Sequence, residues 1–315
     1  MKHSNKHNLY LPCLTILAVA LICVACSKDD TATLPDGKYP VTLNAIGLNP
    51  TPVTRATSDG SWTTDDEIAI QVGGGYGVKK YVPITAGPTV TLNAAVGVTP
   101  FYWQNRDDIN VSAWYLGTGY NATLPTSWSV QTDQNIDESY QKSDFLYASG
   151  TIDFDGTKSL TFYHQTAKVV INIRNYDVVT DAEKIDSVKI TSVLDGSISD
   201  NATEHYRLCA DGGTYRTISA NKLASPNTGV AFEGAPETAL ASFQALVIPQ
   251  TLSINTPIEI KINGYDTFSF TPVGEWNGGN VYTYNITIKG RQVTVNTNTD
   301  IGWITGGSGT GSGEI

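Results

Sequence analysis

The sequence predicts an all-β protein that is divided into two domains, and three observations support this prediction. Apolar and polar residues alternate through most of the chain after residue 38, as they do in strands that bury one face. Glycine and proline separate the alternating segments, which is typical of turns. The composition, with 29 glycines, 16 tyrosines and one methionine, favours strands and turns over helices. We therefore expect β-sandwiches whose strands face alternately inward and outward.

The N-terminus has the layout of a secretory signal peptide. Two lysines give it a positive start, and an almost unbroken apolar run covers residues 9–25. This run is too short, and wrongly flanked, to be a membrane-spanning helix. Small residues precede Cys26, so we expect residues 1–25 to be removed on export.

The run Cys23-Val24-Ala25-Cys26 resembles a bacterial lipobox, in which the last cysteine carries the lipid and becomes the new N-terminus. Cys23 departs from the leucine that usually stands first. The resemblance implies lipidation of Cys26, with enough acyl chains for stable membrane attachment. The alternative is a plain signal peptide that is cut nearby.

The next residues indicate where an exported lipoprotein would go. Ser27–Asp30 (SKDD) resembles the lysine-plus-acidic tag that sends Bacteroidota lipoproteins to the outer face of the outer membrane. The alternative is an ordinary solvated linker. The resemblance implies a location at the cell surface, with a lipid anchor in the outer membrane.

Cysteine usage and net charge argue against a disulfide-stabilised protein and against a nucleic-acid-binding protein. Once residues 1–25 are removed and Cys26 is lipidated, Cys209 is the one remaining thiol, so an intrachain disulfide is excluded and stability must come from core burial. The formal net charge is −10 and basic patches are absent from the sequence. Binding to nucleic acid therefore has no electrostatic basis.

The folded part of the chain is expected to begin after a polar tether, residues 26–38. The first alternating segment is Tyr39–Leu48, and later segments follow the same period-two rule. The apolar residues that share a face in these segments are Val41, Leu43 and Ala45; Ile68 and Ile70; Val111, Ala113 and Tyr115; Val169, Ile171 and Ile173; Ile258, Ile260 and Ile262; Phe268 and Phe270; and Tyr282, Tyr284, Ile286 and Ile288.

The chain is best divided near residues 155–157, where each side opens with an alternating strand and has a normal domain size. This predicts β-sandwich domains at 39–156 and 157–305. Only Asp181–Val188 suggests a short helix. The glycine- and serine-rich residues 306–315 predict a flexible tail without core-forming side chains.

The candidate catalytic and metal-binding residues have simpler structural explanations. His164 lies in an apolar strand and is expected to be structural. His205 and Cys209 are too few for a zinc site, which needs four ligands. Residues 153–156 lack most ligands of a calcium loop, and Asp65–Glu67 is better explained as a turn before a strand than as the acid pair of a glycosidase. We therefore predict no enzymatic activity, no metal site and no cofactor.

Four tryptophans leave another class of function open. Exposed aromatic rings can stack on sugars, so Trp62, Trp103, Trp114 and Trp128 could form a glycan platform. Three of them lie in or beside alternating segments, which favours packing in the core. A glycan-binding surface lipoprotein that does not polymerise is the alternative function.

Four segments, taken in order and spacing, resemble one known family. The first is Thr54–Ile70, with TRAT, a tryptophan and D-x-I-x-I; the second is Phe101–Tyr115, with Leu116 where proline is common; the third is Asp144–Val169, with DFLYA and F-x-H-x-x-AKV; the fourth is Gly279–Ile286. The set is similar to the fimbrillin family, the subunits of type V pili and related surface lipoproteins of Bacteroidota.

The resemblance implies two tandem transthyretin-like β-sandwiches and a function by polymerisation. In related pilins, a trypsin-like, arginine-specific protease cuts after an arginine beyond the first strand, and loss of that strand opens a groove. A C-terminal strand segment of another subunit fills it. The implied cut here lies between Arg55 and Ala56, and the leaving strand is Tyr39–Leu48. The alternative is that Arg55 is an ordinary loop arginine.

The implied donor segment is the C-terminal stretch from residue 287 to residue 304. Its apolar anchors would be Val293, Val295, Ile301 and Trp303. Retention of a long C-terminal β segment favours a stalk subunit, whereas tip and anchor subunits need not donate a strand.

These observations together predict a structural or adhesive subunit of a type V pilus. Its partners would be other pilus subunits, an arginine-specific protease, the outer membrane through the lipid anchor, and a glycan or protein ligand of host or microbial origin. A secreted hydrolase is a third hypothesis, which lacks a catalytic set of residues.

Overall fold

The computed structural model describes residues 34, 36–47, 61–73, 75–175, 184–199, 205–232, 236–265, 267–289, 292–300 and 312–314. In these ranges the regular secondary structure is nearly all β-strand, so the all-β prediction is confirmed. The elements are β1 (Leu43–Gly47), β2 (Ile68–Val72), β3 (Val78–Pro83), β4 (Thr89–Ala94), β5 (Ile109–Leu116), β6 (Ser127–Ser129), helix α1 (Asp137–Lys142), β7 (Phe145–Ile152), β8 (Ser159–His164), β9 (Ala167–Asn175), β10 (Ile185–Val193), β11 (Asp195–Ile198), β12 (Leu208–Ala210), β13 (Tyr215–Ser219), β14 (Asn221–Lys222), β15 (Ala241–Val247), β16 (Gln250–Thr251), β17 (Ile258–Ile262), β18 (Phe268–Phe270), β19 (Glu275–Trp276), β20 (Val281–Lys289), β21 (Gln292–Asp300) and β22 (Ser312–Glu314).

Seven strands of the first half form a closed sheet, in the order β1-β4-β3-β2-β5-β7-β8. All neighbours are antiparallel except β1 and β8, which run parallel and close the ring. Alternate residues of each strand point into the ring, as their period-two pattern requires. The fully buried side chains in this core include Leu43, Ile68, Ile70, Tyr81, Leu92, Ala113 and Phe162.

The second half contains a six-stranded sheet, β14-β15-β9-β20-β21-β22, and a four-stranded sheet, β13-β10-β17-β18. Within the six-stranded sheet β9 and β20 are parallel, and the other pairs are antiparallel. Every residue of β15 is buried, because the core lies on one of its faces and Tyr140 of α1 packs against Leu246 on the other.

The two cores share strands of the closed sheet. In β2, β5 and β7 the residues that alternate with the ring-facing ones, including Ala69, Trp114 and Tyr147, are buried in the second core. These strands therefore bury both faces, and the closed sheet packs directly on the second half.

The connection between β5 and β7 also reaches into the second half. Its strand β6 pairs with β11, and Trp128 of β6 lies in the second core. Gln134 is fully buried, donates to the backbone oxygen of Leu246 and accepts from its backbone nitrogen, both at 2.8 Å. Strand β8, which follows residue 156, belongs to the closed sheet. Backbone pairing thus crosses the predicted boundary, and the division at 156 remains a prediction.

The predicted short helix is wrong where the structure describes it. Residues 185–188 belong to β10, which pairs with both β13 and β17, while residues 181–183 lie outside the described part. Pairing on both edges and burial of Ile185 and Val188 override the helical preference of the alanine, glutamate and lysine. Within the described ranges, no helix has the length and apolar character needed to cross a membrane.

Candidate functional site

The candidate site is the position that the first strand occupies in the closed sheet, which we call the first-strand seat. Strand β1 lies between β4, to which it is antiparallel, and β8, to which it is parallel. Its residues Leu43 and Ala45 are fully buried, and the Asn44 backbone nitrogen donates to the Lys158 oxygen at 2.7 Å. The strand is therefore held by a ladder on each edge and by a buried apolar face.

The segment just before β1 extends the same seat. Tyr39 and Val41 form an antiparallel pairing with Trp103 and Phe101: the Val41 nitrogen donates to the Phe101 oxygen at 2.8 Å, and the Trp103 nitrogen donates to the Tyr39 oxygen at 2.9 Å. Pro40 faces Tyr102 between these bonded pairs, at a position where no amide hydrogen is needed. The seat thus spans residues 39–47, and Leu48 lies outside the described residues.

Trp62 is the first buried residue after residues 48–60, which lie outside the described part of the chain. Its backbone bonds to Gly87 in both directions, at 2.8 and 3.0 Å. Its buried ring lies edge-on to Tyr115 and Phe162, at centroid distances of 5.8 and 4.9 Å. Phe162 is the partner of Gly47 in the ladder between β1 and β8, so Trp62 packs beside the end of the first-strand seat. The predicted processing residues Arg55 and Ala56, and the predicted lipid-bearing Cys26, lie outside the described residues.

A buried carboxyl group follows Trp62. Burial raises the pKa of Asp66 to about 6, although the Thr63 backbone nitrogen donates to this carboxylate at 2.6 Å. The adjacent Glu67 faces the other way: its hydrogen bond with Lys80, at 2.6 Å, lowers its pKa. Neighbouring residues of an extended chain point to opposite sides, so these two carboxyls do not face one substrate position. The turn interpretation of Asp65–Glu67 agrees with this geometry.

The predicted donor segment begins inside the described part of the chain. Strand β21 pairs with β20 along its whole length, from Gln292 to Asp300. Val293 is paired with Ile288, and Val295, which is paired with Ile286, has its side chain buried in the second core. Ile301 and Trp303 lie outside the described residues, so their role as anchors remains a prediction.

The candidate catalytic residues are held in structural contacts. His164 is buried, as predicted, with its Nδ1 2.9 Å from Oδ1 of the equally buried Asp144. His205 stacks on Tyr163 at a centroid distance of 4.3 Å. No group of three or more histidine, cysteine or acidic side chains suited to a metal ion occurs among the residues that the structure describes. Asp155, one of the carboxylates considered and rejected for a calcium loop, forms an ion pair with Arg106 at 3.2 Å.

The tryptophans pack in the cores instead of forming a platform. Trp62, Trp103 and Trp114 are between 1% and 4% exposed, which confirms core packing for these three, and Trp128 is also buried, at 7%. A ring with so little accessible surface has no face to offer a sugar. The main sequence-based support for a glycan platform is therefore removed.

The sequence did not reveal Tyr81, although this residue contacts the first-strand seat. Its hydroxyl donates to the Val41 oxygen at 3.2 Å and accepts from the Phe101 nitrogen at 3.1 Å. An isolated sequence carries no signal for a hydroxyl that reaches a backbone carbonyl 40 residues away.

Comparison with known proteins supplies a family and a fold. The model of a family described as fimbrillin-like matches residues 54–302. Two solved structures are similar over 86% of this chain and all of theirs: a proposed cell adhesion protein of Bacteroides uniformis, with a TM-score of 0.62 and 18% identity, and one of Bacteroides ovatus, with 0.63 and 19%. A search of the curated proteins gives no significant match.

Proposed function

The chain belongs to the fimbrillin-like family, and we propose from this premise that it is a structural and adhesive subunit of a type V pilus, assembled by strand exchange. The family is one of fimbrial structural proteins and not of enzymes, and membership implies a location at the cell surface or in a fimbrium. In the proposed assembly, the segment containing β1 is cut away and a C-terminal strand of another subunit takes its place.

The position of β1 carries this proposal. Because β1 is the strand that closes the sheet between β4 and β8, its departure leaves two edges with unpaired backbone groups and an open apolar trough. Only an extended segment with alternating apolar side chains restores both ladders and refills the trough. Val41 and Leu43 alone bury side chains that are worth about 1.5–3 kcal/mol each.

The proposed occupant is the C-terminal segment of a second subunit. Val293, Val295, Ile301 and Trp303 are spaced at even intervals, so they can share one face of a strand. In such a strand they would take the inward positions that β1 residues hold in the unprocessed chain. The partner must therefore supply an extended segment that has alternating apolar side chains and free backbone amides.

The processing and export steps complete the proposal. Residues 1–25 would be removed as a signal peptide, Cys26 would carry the lipid, and residues 26–38 would tether the protein to the outer membrane. An arginine-specific protease would then cut between Arg55 and Ala56. The proline-rich residues 49–54 suit this step, because prolines disfavour a regular strand and leave the backbone open to a protease.

The domain arrangement is part of the same proposal. Two tandem transthyretin-like sandwiches, residues 39–156 and 157–305, would receive a strand in the first and donate one from the second. The glycine- and serine-rich residues 306–315, expected to be a flexible tail, do not stay free throughout, because Ser312–Glu314 form β22 and pair with β21.

The test of the proposed function is limited proteolysis of the chain from Ser27 onward, with trypsin at a low ratio. We expect a new N-terminus at Ala56 and a ladder of oligomers on native gels. The variant R55A should resist this cut and stay monomeric, whereas R216A, which removes an exposed arginine of β13, should behave as the parent does. Cleavage elsewhere with a monomeric product would contradict the proposal.

The alternative, a glycan-binding lipoprotein that does not polymerise, is tested separately. Its prediction is a change in tryptophan fluorescence with at least one member of a carbohydrate panel. We expect no change, because the four tryptophans named for that role are buried.

A further inference from the structure

The hydroxyl of Tyr81 is built into the contact between the first strand and the rest of the closed sheet. Tyr81 lies in β3 and is fully buried. The Phe101 nitrogen donates to its hydroxyl oxygen, and the hydroxyl in turn donates to the Val41 oxygen. The phenol therefore bridges one donor and one acceptor of two different segments.

This bridge replaces one bond of a regular antiparallel pair. In such a pair, two opposed residues exchange two backbone hydrogen bonds. Val41 donates directly to the Phe101 oxygen, but the return bond from the Phe101 nitrogen reaches Val41 only through Tyr81. Both backbone groups of Val41 are thus bound to groups that stay with the body of the protein.

Departure of the first strand leaves this bridge incomplete. The Phe101 nitrogen still has the tyrosine oxygen as its acceptor, but the tyrosine proton and the Phe101 carbonyl lose their partners. Burial raises the pKa of Tyr81, so the phenol keeps its proton and needs an acceptor. A buried donor without an acceptor is costly, so a strand that enters the seat is favoured when it supplies a carbonyl at this point.

We propose that Tyr81 is a positioning residue for the exchanged strand: its hydroxyl binds the backbone carbonyl of the incoming residue that takes the place of Val41. This inference rests on the strand exchange proposed above. It specifies that the incoming residue has a free amide and a small aliphatic side chain, which excludes proline there. The occupant is the closing segment of a second copy, in which Val293 and Val295 both meet these requirements.

The test uses the full chain with a specific protease site in place of residues 53–57, cleaved after folding. A fluorescent peptide with the sequence of Tyr39–Leu48 then exchanges into the seat, and polarisation gives its affinity. A second peptide replaces the Val41–Thr42 amide with an ester, which weakens the Val41 carbonyl as an acceptor. A third carries the same change at Ala45–Ile46, away from Tyr81.

We expect the Val41 ester to bind the parent protein about fivefold more weakly than the all-amide peptide. In Y81F this penalty should vanish, because no hydroxyl remains to sense the carbonyl, and the Ala45 ester should behave alike in both proteins. Y284F is the matched control, since it removes a buried tyrosine hydroxyl that accepts from the Trp276 indole in the second half, and it should keep the fivefold penalty.

The outcomes separate the two proposals. Equal penalties in the parent and Y81F overturn the role of Tyr81 and leave strand exchange intact. A peptide that never enters the cleaved parent protein contradicts strand exchange itself. If Y81F does not fold, 3-fluorotyrosine at position 81 gives the same answer by ¹⁹F NMR: its resonance should move with the Val41 ester and not with the Ala45 ester, and the reverse result overturns the inference.

Discussion

The first strand and the C-terminal strand β21 are held in opposite ways. Strand β1 has five residues, a full neighbour on each edge and a fully buried face in a closed ring. Strand β21 has nine residues and pairs fully with β20, but within the described part of the chain its other edge pairs with β22 at three residues. A strand that closes a ring can be exchanged but not simply lost, whereas β21 can leave together with the short β22 and expose one ladder. The contrast therefore suits β1 to replacement by an incoming strand and β21 to donation.

The largest expected effect comes from deleting each strand in turn. A chain that starts at Ala56 loses β1, and we expect it to associate or aggregate, because two strand edges and the trough between them are exposed. A chain that ends at Lys289 loses β21 and exposes one edge, so it should remain a folded monomer. Size-exclusion chromatography with circular dichroism measures both, and a monomeric, fully folded product of the first deletion would break the comparison.

Truncating a single side chain should cost more stability in β1 than in β21. Leu43→Ala removes a fully buried side chain from the closed core, and we expect a loss of about 2–5 kcal/mol in the free energy of unfolding. Val295→Ala removes two methyl groups from the margin of the second core, and we expect about 1–2 kcal/mol. Urea unfolding of both variants checks this, and equal losses would show that the two strands are held alike.

Asp66 gives the closed sheet a pH dependence of its own. Its pKa rises from 3.8 to about 6 in the fold, so between these pH values the folded state holds the proton more tightly than the unfolded state. Protonation therefore stabilises the fold as the pH falls from about 6 to 3.8, and the ionised form costs up to about 3 kcal/mol at pH 7.

Asp66→Asn should remove this dependence. We expect the variant to be more stable than the parent at pH 7 and the difference to shrink as the pH approaches 4. Urea unfolding of both proteins across this range gives the difference in their free energies of unfolding. The contributions of the other acidic groups cancel in this difference. A difference that stays constant with pH would contradict the assignment to Asp66.

The smallest effect tests whether the two regions act as one body. Gln134→Ala removes both hydrogen bonds to Leu246, and we expect a loss of about 1–2 kcal/mol with a single unfolding transition. The transition should stay single because β2, β5 and β7 bury residues in both cores. Two separate transitions in differential scanning calorimetry would show that the regions unfold independently. Lys142→Ala, which removes a solvent-exposed ion pair with Glu138 in α1, is the control that should leave the midpoint unchanged.

Local patterns in the sequence predicted which segments form strands. Alternation located β2 through Ile68 and Ile70, and β20 through the run from Tyr282 to Ile288, because burial on one face imposes a period of two. The family resemblance rested on similar local runs, and the family model that matches residues 54–302 confirms it.

Long-range pairing was beyond such patterns. Nothing in the local sequence shows that β8 runs parallel to β1. Nor does it show that the short β6 pairs with β11, although Ser129 and Asp195, which are hydrogen-bonded across this pair, are 66 residues apart. The helix expected at Asp181–Val188 failed for the same reason, since two partner strands outweighed local propensity. Tyr81 was missed because its importance lies in a hydroxyl contact and not in a pattern.

The β6–β11 pairing gives the molecule a second route for mechanical tension. A pull that enters at the seat of the first strand and leaves through β21 would otherwise be carried by the backbone link at Gln165–Thr166 and by the side chains of β2, β5 and β7 that pack in the second core. The pairing of β6 with β11, together with the two bonds of Gln134, runs beside that link and shares the load. In a fibre made of such subunits, each subunit would resist separation of its closed sheet from its second half under tension.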